Sequence, residues 1–124
     1  MSPEDSATPH PAPPEPQSLE EFIRRGWMYH VHGDHIQAEA DFRQAQTLDG
    51  GSAEAAYGLG LALKLQRKNE PAVQAFQKAK ELIDGGALSY DASRGTMLRQ
   101  LSSWHIQTIE SGENVEPKPL ESDL

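Results

Sequence analysis

The chain has 124 residues, a length that fits one domain with its own core. Its formal net charge is −8 and it has no cysteine, so nucleic acid and anionic membranes are poor partners and a disulfide framework or thiolate catalysis is excluded. No stretch is long and apolar enough for a membrane span, and the start lacks the apolar run of a signal peptide, so we expect a soluble cytoplasmic protein.

Both ends of the chain have the composition of disordered segments. Six of the nine prolines lie in residues 1–17, which contain almost no large apolar side chain. Residues 112–124 are acidic and contain Pro117 and Pro119. Such segments bury too little apolar surface to offset the entropy lost on ordering. We therefore predict a disordered proline-rich arm at 1–17, a folded domain at 18–111 and a disordered acidic tail at 112–124.

The folded domain begins with a helix that has clear start and stop signals. Ser18, followed three residues later by Glu21, forms a capping box and places the helix start just before Glu20. The apolar periodicity continues to about His32, where the dipeptide Gly33-Asp34 interrupts it.

Three more helices are predicted downstream, at about 35–48, 53–66 and 69–83. The first of them carries Ala38, Phe42 and Ala45 at i, i+4 and i+7, which is one helical stripe. Pro71 lies in the first turn of the third, where its missing N–H does little harm.

A last helix is predicted at about 89–111. Its apolar positions are Met97, Leu98, Leu101, Trp104 and Ile109. No further stripe of alanine and phenylalanine follows it. We therefore expect a terminal capping helix that lays these residues on the preceding helices and turns Arg94, Arg99 and Gln100 to water.

The first two helix pairs repeat at an offset of 34 residues. The coinciding positions include Gly26 with Gly60, Ala38 with Ala72, Phe42 with Phe76, and Ala45 with Ala79. A fixed period is typical of a repeat architecture, in which each unit buries its faces against its neighbours. The glycines and alanines allow close helix approach, and the phenylalanines fill the space between pairs. The predicted fold is all-α, with antiparallel helix-turn-helix repeats.

These positions resemble the tetratricopeptide repeat family. The segment from about Leu19 to Gly86 is similar to two tandem repeats, at about 19–52 and 53–86, followed by the capping helix. It departs from the family pattern at Arg25, where leucine is usual, and at Ala56, where a bulky residue is usual. The resemblance implies a short right-handed α-solenoid whose concave groove holds a segment of another protein.

The resemblance also implies which side chains line that groove. The groove-facing set comprises Ile23, Trp27, His30, Val31, Tyr57, Leu61, Lys64 and Leu65. Trp27, Tyr57 and Leu61 are the expected contact residues, because large aromatic side chains often dominate binding energy. The lysines and asparagines with which some family members hold a terminal carboxylate are replaced by Ile23, Trp27 and Tyr57, so the expected ligand is apolar or amphipathic. The alternative is that these side chains are core, covered by the neighbouring repeat or by the last helix.

Three histidines lie close together at the turn between the first two helices. His30, His32, Asp34 and His35 match the H-x-H-x-D-H signature of the metallo-β-lactamase superfamily, whose side chains hold zinc. That motif follows a β-strand and needs further ligands from distant strands, whereas this one lies between helices. We interpret it as a solvated turn and keep a metal site as the alternative.

The sequence therefore predicts a protein-interaction adaptor or assembly factor. We expect no catalysis and no cofactor, and a partner that is another protein rather than nucleic acid or membrane. The main alternative is a structural homo-oligomer, because two repeats are fewer than the about three that a stable solenoid needs. A less specific feature is Ser122-Asp123-Leu124, which fits the short C-terminal pattern read by PDZ domains.

Overall fold

The structure, a computed structural model, describes residues 15–112. Over this range the chain forms α-helices and no strand. The helices are α1 Leu19–Val31, α2 His35–Leu48, α3 Ala53–Leu65, α4 Asn69–Asp84 and α5 Ala92–Glu110. The predicted all-α class is confirmed, and the first four helices have bounds within one residue of those expected. Residues 1–14 of the predicted arm and 113–124 of the predicted tail lie outside the described residues.

Serine and aspartate side chains begin three of the helices. The hydroxyl of Ser18 accepts a hydrogen bond from the backbone N–H of Glu21 at 3.2 Å, and Ser52 does the same for α3. The carboxylate of Glu21 accepts from the backbone N–H of Gln17 at 2.9 Å, one residue before the cap. Asp91 caps α5, which therefore starts three residues later than the sequence predicted.

The segment between α4 and α5 folds as consecutive turns rather than as helix. Gly86 lies in the left-handed region with φ +101°, a conformation that glycine adopts at no steric cost. The turns bring the side chain of Leu88 into the core. Helix α5 thus leaves α4 through a compact connection that is itself anchored by apolar burial.

Consecutive helices pack against one another along the whole described chain. Helices α1 and α2 form one antiparallel pair, α3 and α4 form the next, and α5 packs mainly on α4. The odd-numbered helices also meet, α1 with α3 and α3 with α5. This arrangement of packed helix pairs is the repeat-like architecture that the 34-residue period predicts.

Phe42 and Phe76 are at the centres of the two helix pairs, and both are fully buried. A Cβ added at Gly26 would lie 2.9 Å from the ring of Phe42, and one added at Gly60 would lie 2.7 Å from the ring of Phe76. The glycines are therefore required because the rings lie directly on the helix backbone. A Cβ added at Gly58 on α3 would lie even closer to the ring of Phe42.

Arg25 on α1 pairs with a buried carboxylate. Its Nε and Nη2 each donate to an oxygen of Asp41 on α2 at 2.8 Å. The hydrogen bonds that the guanidinium donates to Asp41 raise the pKa of Arg25. Because Asp41 is almost fully buried, this two-point contact compensates its charge and ties α1 to α2.

Candidate functional site

The eight predicted groove residues lie in different environments. Tyr57 is buried, and its ring packs against Phe76 with centroids 5.7 Å apart. Ile23, Trp27 and Leu61 are partly buried and pack against the core, and His30 and Lys64 are also partly buried. Val31 and Leu65 are exposed, Val31 with 79% of its surface accessible. The eight residues of the sequence-based set are therefore not equally accessible to a partner.

Tyr57 is a correction to the expected contact residues, because helix α5 covers it. Its hydroxyl lies 3.4 Å from Nε2 of His105, which α5 contributes. The alternative interpretation, that the last helix covers part of the predicted groove, applies at this position. A tyrosine at this point supplies apolar area to the core and a hydroxyl that finds a buried partner.

A buried polar cluster of Tyr57, Lys64, His105 and Thr108 joins α3 to α5, and we call it the His105 cluster. The ammonium of Lys64 donates to Nδ1 of His105 at 2.8 Å and to the hydroxyl of Thr108 at 3.3 Å. An ammonium can only donate, so Nδ1 accepts, and the ring proton is on Nε2, which donates to Tyr57. His105 is therefore neutral in the folded protein.

The pKa values of the cluster agree with this arrangement. Burial, with a contribution from the Lys64 cation, lowers the pKa of His105 to about 4. Burial also lowers the pKa of Lys64 and raises that of Tyr57. The imidazole stacks on the ring of Phe76 with centroids 4.8 Å apart and planes at 11°. The cluster thus continues the aromatic core at the end of the second helix pair.

Helix α5 presents a row of side chains along α3. Its members are Arg94, Met97, Leu101 and Trp104, whose spacing of three, four and three residues places them on one side of the helix. Both ends of the row contact α3. Arg94 forms an ion pair with Glu54 at 2.8 Å, and the ring of Trp104 lies 4.9 Å from the ammonium of Lys64. The row therefore borders α3 over three turns.

The sequence analysis expected the three apolar members of this row to pack on the preceding helices, but they are exposed. Met97 is 49%, Leu101 37% and Trp104 54% accessible. The buried side of α5 instead contains Leu98, Ser102, His105, Ile106 and Ile109. Leu98 and Ile109 are therefore buried as predicted, whereas Met97, Leu101 and Trp104 are not. The exposed and buried stripes lie one residue apart, and the buried one includes the polar residues Ser102 and His105, so apolar spacing alone did not separate them.

We call the surface formed by Leu61, Lys64, Met97, Leu101 and Trp104 the α3–α5 face. Its edge toward α1 is formed by Trp27, whose Nε1 donates to an Oε2 of Glu54 at 3.0 Å. The same oxygen accepts from Arg94, so one carboxylate connects α1, α3 and α5. Sequence analysis named Trp27, Leu61 and Lys64 but missed the α5 members of the face.

The histidine-rich turn does not assemble a metal centre. The rings of His30 and His35 have centroids 6.0 Å apart, and His30 packs edge-on against Trp27. His32 points elsewhere, because its Nδ1 donates to the carbonyl of Met28 at 2.7 Å. Among residues 15–112, no three histidine, aspartate or glutamate side chains converge as a metal ion requires. The geometry therefore does not favour the alternative metal site.

None of the helices in the described part of the chain is long and apolar enough to cross a bilayer. Comparison with known proteins finds no protein-family model, no curated protein and no solved structure that matches this chain.

Proposed function

We propose that this chain is a protein-interaction module that binds a segment of a partner protein on the α3–α5 face. The observation that carries the proposal is the exposed row of Met97, Leu101 and Trp104, which borders α3 through the contacts of Arg94 with Glu54 and of Trp104 with Lys64. Tryptophan and methionine are enriched at protein interfaces, and an apolar row bounded by charged groups is typical of a binding surface. The expected role is that of an adaptor or assembly scaffold, and we place it in the cytoplasm.

We further propose that the module is of the tetratricopeptide type, with α5 in the position of a third repeat's first helix. The 34-residue period and the contacts of the two phenylalanines support this assignment. Phe42 lies between Gly26 of its own pair and Gly58 of the next, and Phe76 lies between Gly60 and the ring of His105. In such a solenoid, the side that the first helices share is the concave one.

We propose no catalytic role for the perturbed ionisable groups. Lys64, His105 and Tyr57 have shifted pKa values, a property that often marks active sites. Here these groups hydrogen-bond to one another between two helices, and the imidazole is stacked on Phe76. Structural anchoring of α5 explains their burial without a substrate.

Affinity capture from the native lysate tests the proposed function. Wild type is compared with a Leu101→Glu, Trp104→Glu variant, whose two changes fall on exposed side chains of the face. Tyr90→Glu is the matched control, because Tyr90 is 84% accessible and precedes α5 outside the row. Proteins captured by wild type and by the control, but not by the face variant, would support the proposal. Capture that is unchanged in the face variant would refute it.

A homo-oligomer is the second candidate, favoured by two exposed residues on the first helix pair. Val31 and Ile36 are 79% and 74% accessible on either side of the α1–α2 turn. Light scattering over a range of concentrations, on wild type and on Val31→Glu, Ile36→Glu, distinguishes this role. A mass that rises with concentration only in wild type would support self-association through this end.

A further inference from the structure

We infer that the segment bound by the α3–α5 face is an amphipathic helix with a carboxylate beside its apolar stripe, and that Lys64 pairs with this carboxylate. The inference rests on the proposed function and specifies the partner of the same face. It depends on two properties of the face. Polar side chains at its border already form hydrogen bonds within the chain, and Lys64 carries a positive charge.

Two polar side chains at the border of the face, those of Trp27 and Arg94, are already bonded within the chain. Both donate to Glu54. Between the two ends of the row, the face itself presents the apolar side chains of Leu61, Met97 and Leu101. An extended peptide carries an unpaired N–H and C=O at nearly every residue, and burying such a group without a partner costs about 1–3 kcal/mol. A helix satisfies its own backbone groups, so it is the form of peptide that this surface accepts.

Lys64 is a cation without a carboxylate partner in the described part of the chain. Its two hydrogen bonds go to neutral acceptors, Nδ1 of His105 and the hydroxyl of Thr108. An ammonium has three N–H groups, so one remains for a ligand. The ring of Trp104 lies 4.9 Å away, on the exposed side of the same face. A carboxylate placed there would compensate the charge of a partly buried ammonium, which is otherwise costly to keep ionised.

The same charge argues against a second copy of the chain as the occupant. If α5 of another copy lay on the face, its exposed row would bring Met97, Leu101, Trp104 and an Arg94 that already pairs with Glu54. That row carries no carboxylate. A partner helix with one glutamate or aspartate next to its apolar stripe matches both the apolar surface and the cation.

Selection of a displayed random-peptide library on the folded, full-length chain tests the inference. The selection is run on wild type, on Lys64→Met, which keeps the length and loses the charge, and on Leu101→Glu. We expect wild type to recover sequences with apolar residues at i, i+3 or i+4, and i+7 and an acidic residue beside them. Binding of these peptides should be lost with Leu101→Glu. Thermal unfolding by circular dichroism confirms that each variant is folded.

Synthetic versions of the recovered peptides measure the contribution of Lys64. Replacing the acidic residue by its amide should weaken binding to wild type by about tenfold, as for a partly desolvated charge pair, and should leave binding to Lys64→Met unchanged. A proline placed in the middle of the peptide should abolish binding, because it breaks the helix.

Three outcomes would overturn the inference. Recovery of proline-containing or extended motifs that still require Leu101 would reject the helix while leaving the proposed function intact. An acidic preference that persists with Lys64→Met would reject the role of Lys64. A wild-type dimer in sedimentation that Leu101→Glu dissociates would assign the face to a second copy. Failure to recover any peptide that depends on Leu101 would instead count against the proposed function itself.

Discussion

The two buried phenylalanines, Phe42 and Phe76, occupy equivalent positions in their helix pairs, but different groups pack against their rings. Phe42, the centre of the inner layer, lies against the backbone of two glycines, Gly26 and Gly58, and against the ring of Trp27. Phe76, the centre of the outer layer, lies against Gly60 and is stacked on the imidazole of His105. The inner layer is therefore closed by backbone and an indole ring, whereas the outer layer ends in a titratable side chain that accepts a hydrogen bond from Lys64. The C-terminal end of the fold should accordingly depend on pH, and the inner layer should depend on packing alone.

The largest expected effect comes from emptying the inner layer. Phe42→Ala should lower the free energy of unfolding by about 3–5 kcal/mol, because the cavity is bordered by helix backbone that cannot move in to fill it. Phe76→Ala should cost less, since the side chain of His105 can shift into the space. Urea unfolding followed by circular dichroism at pH 7.5 measures both. Equal losses for the two variants would contradict the proposed difference between the layers.

The next effect is the pH dependence of the outer layer. The pKa of His105 is about 4 in the folded protein and 6.5 as its ordinary value, so the unfolded chain binds a proton that the folded one excludes between these values. The stability contributed by the neutral imidazole is complete above about pH 6.5 and is lost as the pH falls toward 4. The expected loss is about 3 kcal/mol.

Urea unfolding of wild type and of His105→Gln at pH 7.5 and at pH 4.5 measures this effect. Glutamine keeps a polar side chain but does not titrate, and the carboxylates that also titrate in this range are shared by both proteins. The variant should therefore lose less stability on acidification than wild type. Parallel losses in the two proteins would show that His105 does not cause the pH dependence.

A smaller effect on stability distinguishes Gly58, where a side chain has no room, from Gly95, where it has room. Gly58→Ala should lower stability by about 1–3 kcal/mol, because its Cβ would overlap the ring of Phe42. Gly95 on α5 has room, since the nearest atoms to an added Cβ, on Ile83 and Leu88, are 3.5 Å away. Gly95→Ala should therefore raise stability by about 0.5–1 kcal/mol through helix propensity. Thermal melting of the two variants shows whether their shifts have opposite signs.

The smallest expected effect concerns the carboxylate that connects the odd-numbered helices. Glu54→Gln keeps an oxygen that can accept the hydrogen bond from Trp27 but removes the charge that pairs with Arg94. This ion pair is partly exposed. We expect a loss of about 0.5 kcal/mol, as is typical of exposed ion pairs, that declines as salt is added. Urea unfolding at low and at high ionic strength measures it. A loss that does not change with salt would mean that the hydrogen bond, not the charge, is what matters at this position.

The helices were predictable from local signals, because those signals act within a few residues. Ser18, Pro71 and Gly33 mark starts and stops by capping, fixed φ and left-handed conformation, and the helices begin and end within two residues of these marks. The 34-residue period is visible in the sequence because a glycine recurs, at Gly26 and Gly60, where a phenylalanine lies on the helix backbone. Helix α5 was placed less accurately, since its start depends on turns that are stabilised by the burial of Leu88.

The candidate site was predictable only in part. Trp27, Leu61 and Lys64 follow from their positions on the first helices of the repeats. The rotation of α5 about its axis did not follow, because its exposed stripe of Met97, Leu101 and Trp104 is at least as apolar as its buried one. Ser102 is fully buried, and His105 is buried with its ring hydrogen-bonded to Lys64, and no apolar periodicity reports either burial.

The sequence by itself determined the helical class, the 34-residue period and the glycines, Gly26 and Gly60, at which a helix backbone lies against a phenylalanine ring. It could do so because helix propensity, capping and side-chain size are local properties. The tertiary structure alone decided which side of α5 faces water, which predicted groove residues α5 covers, and why His105 is neutral. Each of these depends on what distant residues place around a group, and the hydration, charge and hydrogen bonding of a side chain are set by those neighbours.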